Sequence, residues 1–260
     1  TTRACVLRYS LAPLDLGPWR LEAAVTASAL DISRIRAITL DLDDTLWPIW
    51  PTIARAEAVL LDWLAEHAPA TRALHASTAA LRALRDRVQL LRPELSCDLG
   101  ALRRESIRMA LQQAGDPPQL AEPAFEVFLA ERQRVDLFDD ALPALQYLSR
   151  RWPVVALSNG NADVHRMGLG HYFHATVSAR EAGVPKPDAR IFHQAAMAAG
   201  VGPDQVLHIG DDVHLDTQGA MQAGLQAVWL NRAGSDWPLG SAQPHATVAS
   251  LHALPELLTP

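Results

Sequence analysis

One stretch constrains this chain more than any other. Residues 35–46 read IRAITLDLDDTL, and the apolar positions Ile35, Ala37, Ile38 and Leu40 stop abruptly on Asp41, Asp43 and Asp44. A short apolar run ending in acids is the pattern of a buried parallel strand with a functional carboxyl end. Parallel strands need long crossovers, so the rest of the chain must alternate strands with helices.

The second half meets that demand. WPVVALSNG (152–160), ATVSA (175–179), QVLHIGDD (205–212) and LQAVWLN (225–231) read as strands. DARIFHQAAMAAG reads as a helix capped by Asp188 and stopped by Gly200, and TQGAMQAG as another. ATVAS (246–250) reads as a last edge strand before a helix near 250–258. The expected fold class is α/β, a Rossmann-like doubly wound parallel sheet with right-handed crossovers.

Residues 51–134 differ in character. Ala, Leu, Arg and Glu dominate, and Ile53, Ala56, Leu60, Trp63 and Leu64 recur at helical spacing. Gly115 ends one predicted helix, and Pro117, Pro118 and Pro123 punctuate the next segment. The stretch is expected to form a helical insert of about four helices after the first strand. The α/β core then comprises 34–50 and 135–260. Residues 1–33, with Pro13, Gly17 and Pro18 and no clear period, read as an irregular arm.

Composition narrows the function classes. The formal charge of −6 argues against a nucleic-acid partner, which needs a basic face. No apolar run approaches the ~18 residues of a membrane span, and the N-terminus shows no apolar signal core. Cys5 and Cys97 have no metal-type spacing, which fits a reducing cytoplasm.

In an open α/β sheet, ligands bind beyond the carboxyl ends of the strands. Three predicted strands end in polar clusters: DLDD at 41–44, SNGN at 158–161 and GDD at 210–212. Lys186, in a VPKPD turn, precedes a helix. Gathered at one rim, these carboxylates would repel one another, and a divalent cation relieves that. An oxygen-only donor set suits Mg²⁺ working beside a phosphate. Asp41 and Asp43, two apart on an extended strand, share a face. Asp41 could attack phosphorus while Asp43 protonates the leaving oxygen and later deprotonates water.

DLDDTL, then SNG, then KP before a helix, then GDDVHLD resembles the haloacid dehalogenase superfamily of hydrolases, over roughly residues 36–231. The helical insert matches the position of that superfamily's type 1 cap. The resemblance implies Asp41 as nucleophile and metal ligand, and Asp43 as general acid/base with its backbone carbonyl also on the metal. It implies that Thr45 helps hold the loop, Asp43 and the phosphate site. Ser158 and the Asn159 backbone N–H would bind phosphate, and Lys186 would bridge nucleophile and phosphate. Asp211 completes the Mg²⁺ ligands, and either Asp212 or Asp216 could hold a metal-bound water or orient Lys186. Dehalogenating members lack an acid at the position of Asp43, since halide leaves without a proton, so Asp43 favours phosphate esters.

RWPVVALSNGNAD and VLHIGDDVHLDTQGAMQAGLQAVWLNR resemble more closely the bacterial phosphatases acting on flavin mononucleotide and on the phosphorylated ribitylaminouracil precursor of riboflavin. The implied partner is a small phosphorylated metabolite. Trp47, Trp50 or Trp63 could stack on a flat ring, with packing between insert and core as the alternative. Arg103, Arg104 and Arg108 share a predicted helix, as a steering face or as an ordinary solvated one. His208 and His214 flank the acidic motif, where packing or surface roles are favoured over ligation. Two other readings use the same carboxylates. A phosphoryl-transferring mutase would return phosphate to a second hydroxyl. A non-catalytic phospho-aspartate module would use phosphorylation of Asp41 to bias docking, though it has no need of a large insert.

Overall fold

The computed structural model of the chain describes residues 26–27, 30–240 and 242–259. Strands β1 (Thr26–Ala27) and β2 (Ala37–Leu40) are followed by five helices with no strand between them. These are α1 (Ile49–His67), α2 (Pro69–Leu74), α3 (Thr78–Leu91), α4 (Leu99–Ala114) and α5 (Ala121–Arg132). Next come α6 (Ala141–Ser149), β3 (Val154–Ser158), β4 (Ala175–Ser178), α7 (Ala179–Ala182) and α8 (Ala189–Ala198). The chain closes with β5 (Val206–Gly210), α9 (Gly219–Gln222), β6 (Gln226–Leu230), β7 (Ala246–Val248) and α10 (Leu254–Leu257).

The strands form one sheet in the order β1-β7-β6-β5-β2-β3-β4, parallel except for the β1–β7 pair. The chain leaves β2 toward β3 and β4, then returns to the other side of β2 with β5. That reversal makes a crevice at the carboxyl ends of β2, β3 and β5. Leu40 pairs with Ala156 and with Ile209, and the Asp41 N–H donates to the Ile209 carbonyl at 3.0 Å, so the three strands end level with one another.

Side chains alternate between the two faces of the sheet, as a period of two requires. Ile38, Leu40, Val154, Ala156, Leu207 and Ile209 pack into one apolar cluster with α6 and α10. Ala37, Val155, Leu157 and Val206 pack into another with α8 and α9. The five-helix segment has an apolar cluster of its own, in which Leu60, Leu64, Leu81, Ile107, Phe125 and Phe128 meet.

Three expectations change in detail. The insert has one more α-helix than expected, because Pro69 lacks an N–H to continue α1 and starts α2 instead. The strand at 246–248 lies inside the sheet, because residues 26–27 pair along its outer side. Of the segment read as an arm, residues 1–25 and 28–29 lie outside the described residues. The described part contributes β1 and a single 3₁₀ turn at Ile32–Arg34.

Candidate active site

Asp41 stands one residue beyond β2 and is 6% exposed. Lys186, 4% exposed, reaches it from the turn before α8, with Nζ 2.5 Å from Asp41 Oδ1 and 2.5 Å from Asp216 Oδ1. One ammonium therefore joins two buried carboxylates. Burial alone would lower the Lys186 pKa, but Asp216 and Asp41 together raise it above the ordinary lysine value. Burial likewise pushes Asp216 up, and the Lys186 charge with the hydrogen bond from His208 reverses that, leaving it well below the carboxylate range. Asp41 keeps the opposite sign: burial raises it, Lys186 opposes, and Asp216 and Asp211 push it further up.

His208 lies on β5, fully buried, on the same face as Thr39 and edge-on to Phe192. Its Nε2 is 3.1 Å from Asp216 Oδ1 and its Nδ1 is 2.8 Å from Thr39 Oγ1. Burial lowers the pKa of the ring, so the neutral form holds one proton. An ionised carboxylate only accepts, so that proton sits on Nε2, and Nδ1 accepts from the Thr39 hydroxyl. Sequence alone favours a packing role for His208; its ring also orients Asp216.

The turn after β5 separates the two acids that the sequence leaves open. Asp212 is turned away, its Oδ1 accepting from the N–H groups of His214 and Leu215, each at 2.7 Å. Asp216 is drawn in, because Val213–Gln218 forms a widened π-helical turn ahead of the helix read from Thr217 onward. Its Oδ2 accepts from the Asp212 N–H at 3.1 Å. Gly210 permits this closeness, since a Cβ there would lie 2.5 Å from Asp216 Cγ. Gly210→Ala is therefore expected to displace Asp216 and to destabilise the fold by about 1–3 kcal/mol, read as a drop of several degrees in Tm. An unchanged melting curve would mean that the turn relaxes around the methyl group.

Asp211 is held on both sides. The Thr45 hydroxyl donates to its Oδ1 at 3.0 Å, and the Trp229 indole N–H donates to its backbone carbonyl at 2.8 Å. Thr45 thus anchors Asp211, where the sequence pattern assigns it to Asp43 and the phosphate site. Burial, then the Asp216 charge, pushes the Asp211 pKa up to about 7. Carboxylate oxygens of Asp41, Asp211 and Asp216 lie within 4.8 Å of one another. Three crowded acids, two of them with raised pKa values, offset by a single lysine, fit a bound cation, and an all-oxygen set suits Mg²⁺. Asp216 already accepts from Lys186, His208 and Asp212. Asp41 and Asp211 make fewer such contacts, and they are the side chains of this cluster that could hold a cation.

Ser158 closes β3, and its Oγ accepts from the Gly160 N–H at 2.9 Å. The Asn159 side chain has a role that no sequence pattern indicates. Its amide donates to the Lys186 carbonyl at 3.0 Å and accepts from the Lys186 N–H at 2.7 Å, clamping the lysine backbone to this loop.

Asp43 is not a member of that three-acid cluster. Its Oδ1 accepts from Trp47 Nε1 at 2.8 Å and from Arg132 Nη2 at 2.7 Å, and its Oδ2 lies 2.9 Å from the same Nη2. The loop between them turns through Asp44, which holds φ +58°, the one positive φ outside glycine among the described residues. Arg132 belongs to the last turn of α5, 89 residues away, and no sequence pattern points to it.

A cleft of about 400 Å³ opens beside Ser158, between the helical segment and the 160–166 loop. Gly100, Arg104, Phe125, Leu129, Gln133 and His165 are among its lining residues. The three tryptophans are not. Trp47 is buried, Trp50 is 65% exposed beneath Arg82, and Trp63 stacks on His67. The arginine face is also dispersed: Arg103 is buried against Glu57 and Phe128, Arg108 pairs with Glu105, and Arg104 alone reaches the cleft. No helix among the described residues is long and apolar enough to cross a membrane.

Comparison with known proteins agrees with this arrangement. Residues 35–224 match the family model described as haloacid dehalogenase-like hydrolase. The chain is 33% identical over 235 residues to the 5-amino-6-(5-phospho-D-ribitylamino)uracil phosphatase YigB of Escherichia coli, covering 87% of this chain and 98% of that one. It is 37% identical over 139 residues to a phosphoserine phosphatase of Thermus thermophilus, covering 51% of this chain and 56% of that one. Among solved structures, a 2-haloacid dehalogenase from Pseudomonas syringae superposes with a TM-score of 0.81 at 39% identity, over 86% of this chain and 98% of that one.

Proposed function

The chain belongs to the haloacid dehalogenase-like hydrolase family, and from that membership and the geometry of the rim we propose that it is a Mg²⁺-dependent phosphatase of small phosphate monoesters. The observation that carries this reading is the buried Asp41–Lys186–Asp216 bridge with a second acid, Asp43, two residues along the same strand end. Asp41 is the nucleophile. As its oxygen bonds to phosphorus, the bond to the leaving oxygen breaks, and Asp43 gives that oxygen a proton. Asp43 then takes a proton from water, whose oxygen attacks phosphorus and frees Asp41 and inorganic phosphate. Lys186, the Ser158 hydroxyl and the Asn159 backbone N–H receive the phosphate oxygens, aided by their fixed placement. Asp41, Asp211 and the backbone carbonyl of Asp43 would hold Mg²⁺, which offsets charge on the phosphate as it transfers.

The acid at Asp43 favours phosphate over halide chemistry, because a halide leaves without a proton. The five helices act as a cap over the rim, and the cleft beside Ser158 takes the leaving group. A phosphorylated ribitylaminouracil or flavin mononucleotide is the favoured class, supported by the likeness to YigB along nearly its whole length. Phe125 and Leu129 offer an apolar wall, and Arg104, Gln133 and His165 a polar one.

The test is phosphate release from a panel holding both of these esters, phosphoserine and pyrimidine nucleotides, with Mg²⁺ and with EDTA, beside halide release from a 2-haloacid. Release from a riboflavin-type ester, fast with Mg²⁺ and abolished by EDTA, is the expected result. Halide without phosphate would replace the reading with dehalogenation. Rearrangement of a sugar phosphate without free phosphate would replace it with a mutase.

A further inference from the structure

Arg132 is 1% exposed. A buried guanidinium carries a desolvation cost that a pair of apolar side chains would avoid. Its hydrogen bonds among the described residues go to Asp43 alone, and its Nη1, also buried, has no partner. An arginine serving as a strap between helix and sheet would be expected to use both arms. This one is spent on a single carboxylate.

That carboxylate is approached from two sides. Trp47, wholly buried, and Arg132 both donate to it, while its own side chain stays 23% exposed. Gly160 closes the front: a Cβ there would lie 2.8 Å from Asp43 Oδ2, 3.2 Å from Ser158 Oγ and 3.7 Å from Arg132 Nη2. Asp43, Arg132 and the phosphate-binding loop therefore meet in one small volume. Arg132 enters it from the helical segment, while every other member comes from the sheet.

We propose that Arg132 is the positioning residue for the acid/base Asp43, holding its carboxylate at the rim and making that placement depend on α5 being seated there. This rests on the phosphatase reading, and specifically on Asp43 as the proton donor to the leaving oxygen. Asp43 matters most when the leaving oxygen is strongly basic. An aryl phosphate, which expels a stable phenolate, needs the proton least, and an alkyl phosphate needs it most. A loss of positioning must therefore be selective between the two esters, whereas a loss of folded protein cannot be.

The experiment compares kcat/KM for p-nitrophenyl phosphate and for a simple alkyl phosphate in wild type, Asp43→Asn, Arg132→Met, Arg132→Lys and the Asp43→Asn/Arg132→Met double variant. Arg132→Met is expected to lower the alkyl value roughly tenfold to a hundredfold and the aryl value only a few-fold. Arg132→Lys should restore part of the alkyl loss, and the double variant should be no slower than Asp43→Asn alone. If Arg132→Met does not fold, Trp47→Phe removes the other donor and should show the same selectivity. If Asp43→Asn is selective but the Arg132 and Trp47 variants slow both esters equally, or neither, the inference is overturned. If Asp43→Asn itself is not selective, the acid/base reading falls and takes this inference with it.

Discussion

Asp41→Asn is expected to reduce phosphate release by roughly four to six orders of magnitude while leaving the protein folded. The magnitude follows from removing the atom that bonds to phosphorus: a carboxamide is a far weaker nucleophile, and the remaining donors then only bind. Folding should survive because the carboxylate is a costly group where it sits. Burial, Asp216 and Asp211 all raise the pKa of Asp41, with Lys186 as the opposing influence. The asparagine removes one member of that crowd and leaves Lys186 paired with Asp216 at 2.5 Å. Melting curves should therefore show an unchanged or raised Tm beside the lost activity. The covalent step can be read directly. After acid quenching of a labelled ester, wild type should retain protein-bound phosphate and Asp41→Asn none. Labelled protein in the variant, or activity within a hundredfold of wild type, would move the nucleophile elsewhere.

The rim is legible in the sequence because a parallel sheet converts order along the chain into proximity. Asp41, Ser158 and Asp211 each follow an apolar run, and strands of matched length bring such endings level. Lys186 can be read because a proline turn before a helix opens onto the same edge. The rest depends on how elements pack. Asp212 and Asp216 are chemically alike in the sequence. The choice between them rests on a turn that is wider than an α-helix, and no residue type specifies that.

Arg132 looks like any charged residue at a helix C-terminus, where cations are favoured anyway. Its approach to Asp43 needs the whole helical segment in place. His208 reads as one more buried position in an apolar strand, and its value appears only when Thr39 and Asp216 lie on either side of it. Arg103 fails in the opposite direction: it sits on a predicted exposed face, but the neighbouring α1 presents Glu57, wholly buried, and draws it inward.

Asp140→Ala is expected to be a severely destabilising change outside the rim. Asp140 sits just before α6 and is 3% exposed. It accepts from Arg232 Nη1 and Nη2 at 2.8 Å each, from Ser250 Oγ at 2.7 Å and from the Leu251 N–H at 2.8 Å. Arg232 Nη2 also donates to the Thr45 carbonyl at 2.9 Å, so this one carboxylate ties the chain leaving the helical segment to the C-terminal turn and to the loop of Asp43. Truncation leaves a half-buried guanidinium and a buried N–H without their acceptor, which costs about 3–5 kcal/mol. Set against a typical total of about 5–15 kcal/mol, that is a large share, and Tm should fall by roughly 10 °C.

The pH dependence gives a second readout. Burial raises the Asp140 pKa, but the hydrogen bonds from Arg232 and Ser250 outweigh it, so the folded value lies below the ordinary one. A depressed carboxylate contributes its full stability above the unfolded pKa, near 3.9, and loses it as pH falls through the folded value. Wild type should therefore lose stability in acid more steeply than Asp140→Ala, and the gap between the two curves should narrow as pH falls below about 4. Parallel curves, or a loss under about 1 kcal/mol, would show that Arg232 finds another acceptor and that the linkage is not held at Asp140.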